Sequence, residues 1–345
     1  MTINCDHHST NMPLSPRLRH FLRYMSNPKL HIYNPETEYA LASASPYYTL
    51  PESVRKLRMS KARLPEMYAG HDDAILLMDG ADPEPDRPSS CTLLTPDMDI
   101  EWSRYIASPW GWNAQIACSL TASCPGLRGI PSAGRIDRLR KLAHRRTTIN
   151  FLKAYEVQDI SLPLELDDYD TAVEFYHKHP NIFLKAPWSS SGRGVMRTDD
   201  LKPMHVEPWM RGIIRSQGSV MVEPIYDKAL DCATEWTMRN GKAAFLGVSV
   251  FEASGRGKYH RNIEAGQLSL WNMIGVLTPE VIEKQRHALQ SVIGSDYDGP
   301  LGIDMLVTSA GTLHPCVELN LRHTMGSILI HPDDKSLVAK YPAMF

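Results

Sequence analysis

The stretch Gly302-Ile303-Asp304-Met305-Leu306-Val307, a short turn, then Pro315-Cys316-Val317-Glu318-Leu319-Asn320-Leu321-Arg322 has the pattern of a β-hairpin carrying acids. In its second strand Val317, Leu319 and Leu321 alternate with Cys316, Glu318, Asn320 and Arg322, and a period of two puts the latter set on one face. A loop of three residues, Ala310, Gly311 and Thr312, sets Asp304 directly opposite Glu318 with both carboxylates turned the same way. A two-residue turn sends Asp304 to the apolar side instead, so the reading hangs on register. In the first register, Asp304, Glu318 and the amide oxygen of Asn320 make a hard oxygen set, the kind that holds Mg²⁺ and leaves positions for water and phosphate oxygens. Taken alone, the hairpin is equally consistent with a solvated sheet face that carries an acid pair by accident.

A second stretch bears on that choice. In Ile182-Phe183-Leu184-Lys185-Ala186-Pro187-Trp188-Ser189-Ser190-Ser191-Gly192-Arg193-Gly194-Val195 a strand delivers Lys185, and a loop of serines and glycines turns back into Val195 and Met196. Glycines let backbone N–H groups approach phosphate oxygens, serine hydroxyls add donors, and a lysine supplies a point charge. No Gly-Lys-Ser/Thr opens a helix here, so this is not a Walker loop.

Around these stretches the chain alternates elements. A short strand from Leu30 ends at Asn34-Pro35, and an acidic loop with Glu36 and Glu38 leads into an apolar stretch; these acids read more readily as capping or solvated groups than as substrate contacts. Residues 51–68 read as helix, and Ala74-Ile75-Leu76-Leu77-Met78 as a strand buried on both faces of a parallel sheet. The prolines at 83, 85, 88 and 96 mark a loop or linker with a break in packing. Trp110-Gly111-Trp112 reads as packing, Asn113 as a helix N-cap, and residues 136–154 as a helix rich in arginine. Val220-Met221-Val222-Glu223-Pro224 is a strand, Asn240-Gly241 joins two apolar runs as a hairpin turn, and residues 279–293 form a helix. The basic loop 254–262 is either a mobile cover over substrate or an exposed hairpin tip.

A chain of 345 residues can bury a large core and divides into two or three domains. A net charge of -2 gives no general field for nucleic acid or an anionic membrane. Six cysteines without a CxxC pair or zinc spacing read as reduced thiols. Histidines and Pro13 stand where a signal peptide needs an apolar core, and no run of about 18 apolar residues occurs, so a cytoplasmic protein is expected.

A lysine strand with a Ser/Gly loop, a strand ending in Glu223-Pro224, a helix, then Gly302-Ile303-Asp304 with Glu318-x-Asn320-x-Arg322: this ordered set resembles the ATP-grasp superfamily, and Asn34-Pro35-Glu36 with Trp110-Gly111-Trp112 resembles a poorly characterised bacterial group within it. The resemblance implies mixed α/β and α+β structure, with two α+β subdomains gripping a nucleotide behind a smaller α/β pre-ATP-grasp domain. The expected divisions are an N-terminal extension at 1–27, the pre-ATP-grasp domain at 28–125, the ATP-grasp domain at 126–330 with its lid at about 150–225, and a tail at 331–345. It also implies ATP and Mg²⁺ as cofactors, with a pair of ions and Mn²⁺ as an alternative metal. Lys185 then contacts the α- and β-phosphates, and the loop holding Ser189, Ser190, Ser191, Gly192 and Gly194 closes over the triphosphate. Arg145 stands where the family usually has a lysine, with Arg146 as a substitute. Glu223 and the backbone after it resemble the hinge that reads adenine, Asp227 or Glu235 reaches the ribose, and Asp304, Glu318 and Asn320 match the metal ligands. Arg322 steadies the transferring phosphoryl group or a tetrahedral intermediate. The implied reaction is ATP-dependent ligation of a small-molecule carboxylate to an amine, thiol or similar nucleophile, the alternatives being a small-molecule kinase on the same fold and a non-catalytic nucleotide-binding protein. Neither nucleic acid nor membrane is an expected partner, and homo-oligomerisation is left open.

Overall fold

The computed structural model describes residues 27–80, 82–189, 194–254, 259–331 and 333–345. The expected N-terminal extension lies outside the described residues except for residue 27, as do Ser190, Ser191, Gly192 and the middle of the basic loop, residues 255–258.

The first sheet is parallel, with strands β1 (Lys29–Ile32), β2 (Ala74–Leu76), β3 (Thr92–Leu94) and β4 (Ile106–Pro109) in the order β3-β2-β1-β4. Every residue of β2 is buried, as a strand covered on both faces requires. Two sequence expectations change here. The proline-rich stretch contains no break in packing at its end, because Thr92, Leu93 and Leu94 follow the last closely spaced proline and pair with β2 as an edge strand. The acidic loop after Pro35 is instead the helix Thr37–Ser43, which places Glu38 in a first turn and buries Ala40 and Leu41. Asn113 caps the helix Ala114–Ser123 as expected, its Oδ1 accepting from the Ile116 N–H at 2.9 Å.

The arginine-rich helix expected over residues 136–154 is two helices, Ala133–Leu142 and Arg146–Ala154. The backbone of residues 186–188 supplies a reason for the break. The Arg145 N–H donates to the Pro187 carbonyl at 3.1 Å, and the Trp188 indole N–H donates to the Arg140 carbonyl at 2.9 Å. Main-chain groups that would close a helical turn are satisfied across the gap.

That neighbouring segment belongs to a second, antiparallel sheet of β5 (Leu164–Leu166), β6 (Ile182–Lys185), β7 (Val195–Arg197) and β8 (Val220–Pro224), ordered β5-β8-β6-β7. The helices Tyr169–Lys178 and Pro203–Gln217 cover one face through Tyr176, Val206 and Met210, packed on Leu184 and Val222.

The third sheet is antiparallel and longer: β9 (Lys228–Arg239), β10 (Lys242–Ala253), β11 (Tyr259–Asn262), β12 (Gly299–Thr308) and β13 (Leu313–Asn320), ordered β11-β10-β9-β12-β13. Asn240 and Gly241 take φ of 50° and 74°, the left-handed pair that a tight hairpin turn demands. The helices Gln267–Ile274 and Pro279–Val292 back this sheet, burying Trp236, Leu289, Leu301 and Ile303 between them. The other face of the sheet is turned to the candidate site.

The opening hairpin has Asp304 paired with Glu318, the register on which the acid reading depends. Its turn, however, comes one residue early. Thr308 N–H bonds the Thr312 carbonyl, Gly311 N–H bonds the Thr308 carbonyl, both at 2.9 Å, and Leu306 pairs with His314. An irregularity between Asp304 and Leu306 then restores the pairing, bulging the second strand around Pro315, which has no N–H to give the ladder. The bulge inverts two side chains. Cys316, expected on the polar face, is fully buried in the core, while Val317, expected in the core, lines the cleft.

Candidate active site

Between the second and third sheets lies a cleft of ≈ 490 Å³. Lys185, the last residue of β6, is buried in its wall and its Nζ is hydrogen-bonded to Glu223 Oε2 on β8. Arg145 sits in the gap between the two helices, 7 % exposed, with Nε donating to the Ala186 carbonyl and Nη2 to Ser189 Oγ, both at 3.1 Å. The same Nη2 lies 2.8 Å from Glu318 Oε1. Arg146 points elsewhere, its guanidinium bonded to Glu165 with its side chain 59 % exposed. Of the two candidates, the break thus brings Arg145 into the cleft.

Of the serine and glycine loop, Ser189 and Gly194 are among the described residues. Gly194 has φ of 74°, and a Cβ there would stand 2.8 Å from Ser189 Cβ, so the close approach of the two loop ends needs glycine. The Ala186 N–H closes the loop on the Gly194 carbonyl at 2.7 Å.

Asp304 and Glu318 lie on the floor. Burial first, and the Glu318 charge after it, raise the Asp304 carboxyl to about 7 against the opposing pull of a hydrogen bond from Asn320 and the Arg322 charge. A carboxylate penalised by desolvation and by a like charge is relieved by a cation. With the Asn320 amide it forms a donor set of hard oxygens that suits Mg²⁺ or Mn²⁺. The amide oxygen is engaged elsewhere. Asn320 Oδ1 accepts from Arg322 Nη2 at 3.0 Å, so coordination needs a half-turn of the amide and release of Glu318 by Arg145. Among the described residues no group of three or more His, Cys, Asp or Glu side chains has the arrangement of a metal site.

Arg322 is itself held. Its Nη1 donates to the His323 carbonyl at 2.9 Å and its Nε to Glu38 Oε1, from the first turn of the helix Thr37–Ser43. Glu38 is thus not a solvated or capping acid. Glu36 is fully buried and serves structure, accepting from Arg58 Nη1 at 3.1 Å while Arg58 also grips Asp79.

Glu223 and Asp227 both line the cleft, at the end of β8 and in the segment after it, together with Tyr226 and His314. Glu235 is not beside Asp227. It faces a second cavity of ≈ 150 Å³, buried, with Ser249 Oγ donating to Oε1 at 3.0 Å and Thr324 Oγ1 to Oε2 at 2.8 Å. Burial raises it to about 7.

Sequence reasoning passed over Asp231, His314 and Arg197, all of which line the cleft. Asp231 had a signal: it stands two and four positions before Ala233 and Glu235 on a strand, and β9 pairs Asp231, Ala233 and Glu235 with Leu306, Asp304 and Gly302. Nothing local marks Glu38 as the partner of a residue 284 positions away.

No protein-family model matches the chain, and no curated protein matches it. Among solved structures, the chain is similar to a biotin carboxylase from Campylobacter jejuni in complex with βγ-ATP, with a TM-score of 0.52 at 13% identity over 92% of this chain and 71% of that one. It is also similar to an N5-carboxyaminoimidazole synthetase from Staphylococcus aureus complexed with ADP, with a TM-score of 0.49 at 10% identity over 88% and 74% of the two chains. D-alanyl-alanine synthetase A from Vibrio cholerae gives a TM-score of 0.44 at 18% identity over 67% and 71%.

Proposed function

We propose, from the ATP-grasp fold that this chain has, that it is an ATP-dependent ligase joining a small-molecule carboxylate to an amine or similar nucleophile. The observation that carries the reading is convergence: Lys185 and Arg145, from separate elements, meet Asp304 and Glu318 in one cleft between two sheets.

In this reading the carboxylate oxygen of one substrate attacks the γ-phosphorus of ATP. The bond to the bridging oxygen breaks, ADP leaves with its electron pair, and an acyl phosphate forms. The nucleophile adds to the acyl carbon and gives up its proton to solvent, and phosphate departs with the C–O pair. Lys185 and Arg145 hold the α- and β-phosphates, Arg145 by the fork of its guanidinium. The backbone after Glu223 meets the base edge, and Asp227 meets the ribose. Asp304, Glu318 and Asn320 hold Mg²⁺, which when bound neutralises phosphate charge that otherwise repels the nucleophile. Arg322, kept in place by Glu38, faces the transferring phosphoryl group.

The test is release of ADP and free phosphate in equal amounts, in the presence of Mg²⁺, across a panel of carboxylates and amines. Glu318→Gln lowers that turnover by about a hundredfold or more, the scale of losing one strong electrostatic group. Turnover that survives the substitution removes the site assignment, and ADP without free phosphate makes the enzyme a kinase.

A further inference from the structure

Beyond Asp304 and Glu318 the nucleotide cleft continues into two smaller cavities that the proposed roles of Lys185 and Arg145 leave unused. The first, of ≈ 150 Å³, shares Asp304, Glu318, Phe251 and Ala253 with the cleft, and its remaining wall mixes apolar residues with polar ones, among them Glu235, Ser249, Asn262 and Arg322. The second, of ≈ 260 Å³, shares Ser249, Asn262 and Gly326 with the first, but its remaining wall is mainly apolar, with Val248, Ile263, Leu270 and Leu329. Asn262 Nδ2, at the wall common to both, is buried with no hydrogen-bond partner among the described residues.

The charges within the first cavity are unevenly spread. Three acids face it, Glu235, Asp304 and Glu318, against one cation, Arg322. Asp304 and Glu318 are matched to a metal ion, which leaves Glu235 as the acid over. Its two oxygens accept hydroxyl donors from Ser249 and Thr324, and a carboxylate oxygen has acceptor capacity beyond one bond. A small cationic group satisfies it; an anion beside it meets repulsion. On another part of the same wall each of the Arg322 nitrogens is engaged once, by Glu38, His323 or Asn320, and a guanidinium carries more N–H donors than that. That part accepts an anion. A compound that reaches from there into the second cavity meets a mainly apolar wall, which favours an apolar group over one that must shed its water.

We propose that these paired cavities hold an amino acid with an apolar side chain, its carboxylate toward Arg322 and the metal ion that Asp304 and Glu318 would hold, its ammonium on Glu235, and its side chain among Val248, Ile263, Leu270 and Leu329. The inference rests on the ligase reading, because the carboxylate at the metal end is the group to be activated there. It narrows the carboxylate substrate to a zwitterion with a side chain of leucine or phenylalanine size.

The test is calorimetric titration of the full chain with leucine, alanine and 4-methylpentanoate, the last being leucine without its amine, in the presence of Mg²⁺ and a non-hydrolysable ATP analogue. Nucleotide binding is measured first and separately, so that failure of the ligase reading shows as absence of nucleotide binding and failure of this inference shows in the amino-acid titrations alone. Leucine binds at least about tenfold tighter than alanine, the scale on which an apolar pocket separates side chains that differ by a few carbons, and tighter than 4-methylpentanoate by a similar factor. Ala265→Trp, at an exposed position on the rim of the second cavity, brings leucine down to the affinity of alanine and leaves alanine binding unchanged. Glu235→Gln removes the preference for leucine over 4-methylpentanoate. Equal binding of all three compounds, no binding of any, or unaltered leucine affinity in Ala265→Trp overturns the proposal.

Discussion

Glu38→Gln tests how far the hairpin depends on the first sheet. Glu38 and Arg322 are paired with side-chain exposures of 11% and 14%, so the substitution strands a guanidinium that water barely reaches. Removing one partner of a buried pair costs about 3–5 kcal/mol. Asp304 and Glu318 still attract the same guanidinium, which places the expected loss near the lower figure, about 3 kcal/mol. For a protein of 345 residues that corresponds to a fall in melting temperature of about 4 °C. The measurement is thermal and urea unfolding of wild type, Glu38→Gln, Arg322→Met and the double variant at neutral pH. In the double-mutant cycle the two substitutions together cost little more than the worse of them alone, because the double variant leaves neither charge without its partner. A Glu38→Gln protein within about 0.5 kcal/mol of wild type, or costs that simply add, refutes the coupling.

Asp304 carries a pH signature. Its folded value of about 7 stands above the usual carboxylate range near 4, so the folded state holds a proton that the unfolded state releases, and stability falls as pH rises between those two values. Asp304→Asn without divalent metal therefore gains on wild type by roughly 1 kcal/mol per unit from pH 5 to 7 and no more above it, read by urea unfolding; a gap that narrows with rising pH is the contrary result. Lys185→Met keeps the length of the side chain and removes its charge, so ATP affinity drops by about 10- to 100-fold in calorimetry, and unchanged affinity withdraws Lys185 from the phosphates. Because Arg145 is held by Glu318, Glu318→Gln loosens that grip: in a chelator it binds metal-free ATP at least as tightly as wild type, and a tenfold weaker affinity shows that the pair does not restrain Arg145.

The parts of the fold that were legible in the sequence are those set by periodicity or by one strong local residue. Asn240-Gly241 carried the β9–β10 hairpin and Asn113 its cap, whereas the expected pairing of Asp304 with Glu318 is met only because a bulge makes up for a turn one residue early. What escaped was decided by groups far away in sequence. The split of the arginine-rich helix answers to the Pro187 carbonyl and Trp188, the short strand at Thr92 to a neighbour across the sheet, and the exchange of Cys316 for Val317 to a bulge that pairing alone reveals. Within the candidate site the same division holds. Lys185 and Arg145 meet the acids where motif order suggested, whereas the position of Glu235 in a separate cavity and the hold of Glu38 on Arg322 emerge only when three sheets are assembled.

The seam between the first sheet and the hairpin limits how this protein can be recombined. His323 stacks on Tyr68 with ring centroids 4.4 Å apart and gives its backbone N–H to the Trp110 carbonyl at 2.9 Å, directly beside the Glu38 contact. Three points from the N-terminal sheet and its helices therefore fix two consecutive residues at the end of the hairpin. A chimera that exchanges residues 28–125 for the equivalent layer of another protein must bring its own acid, aromatic ring and carbonyl to those positions, or it leaves Arg322 without the partner that aims it. The N-terminal layer and the hairpin therefore have to be exchanged together, as one unit.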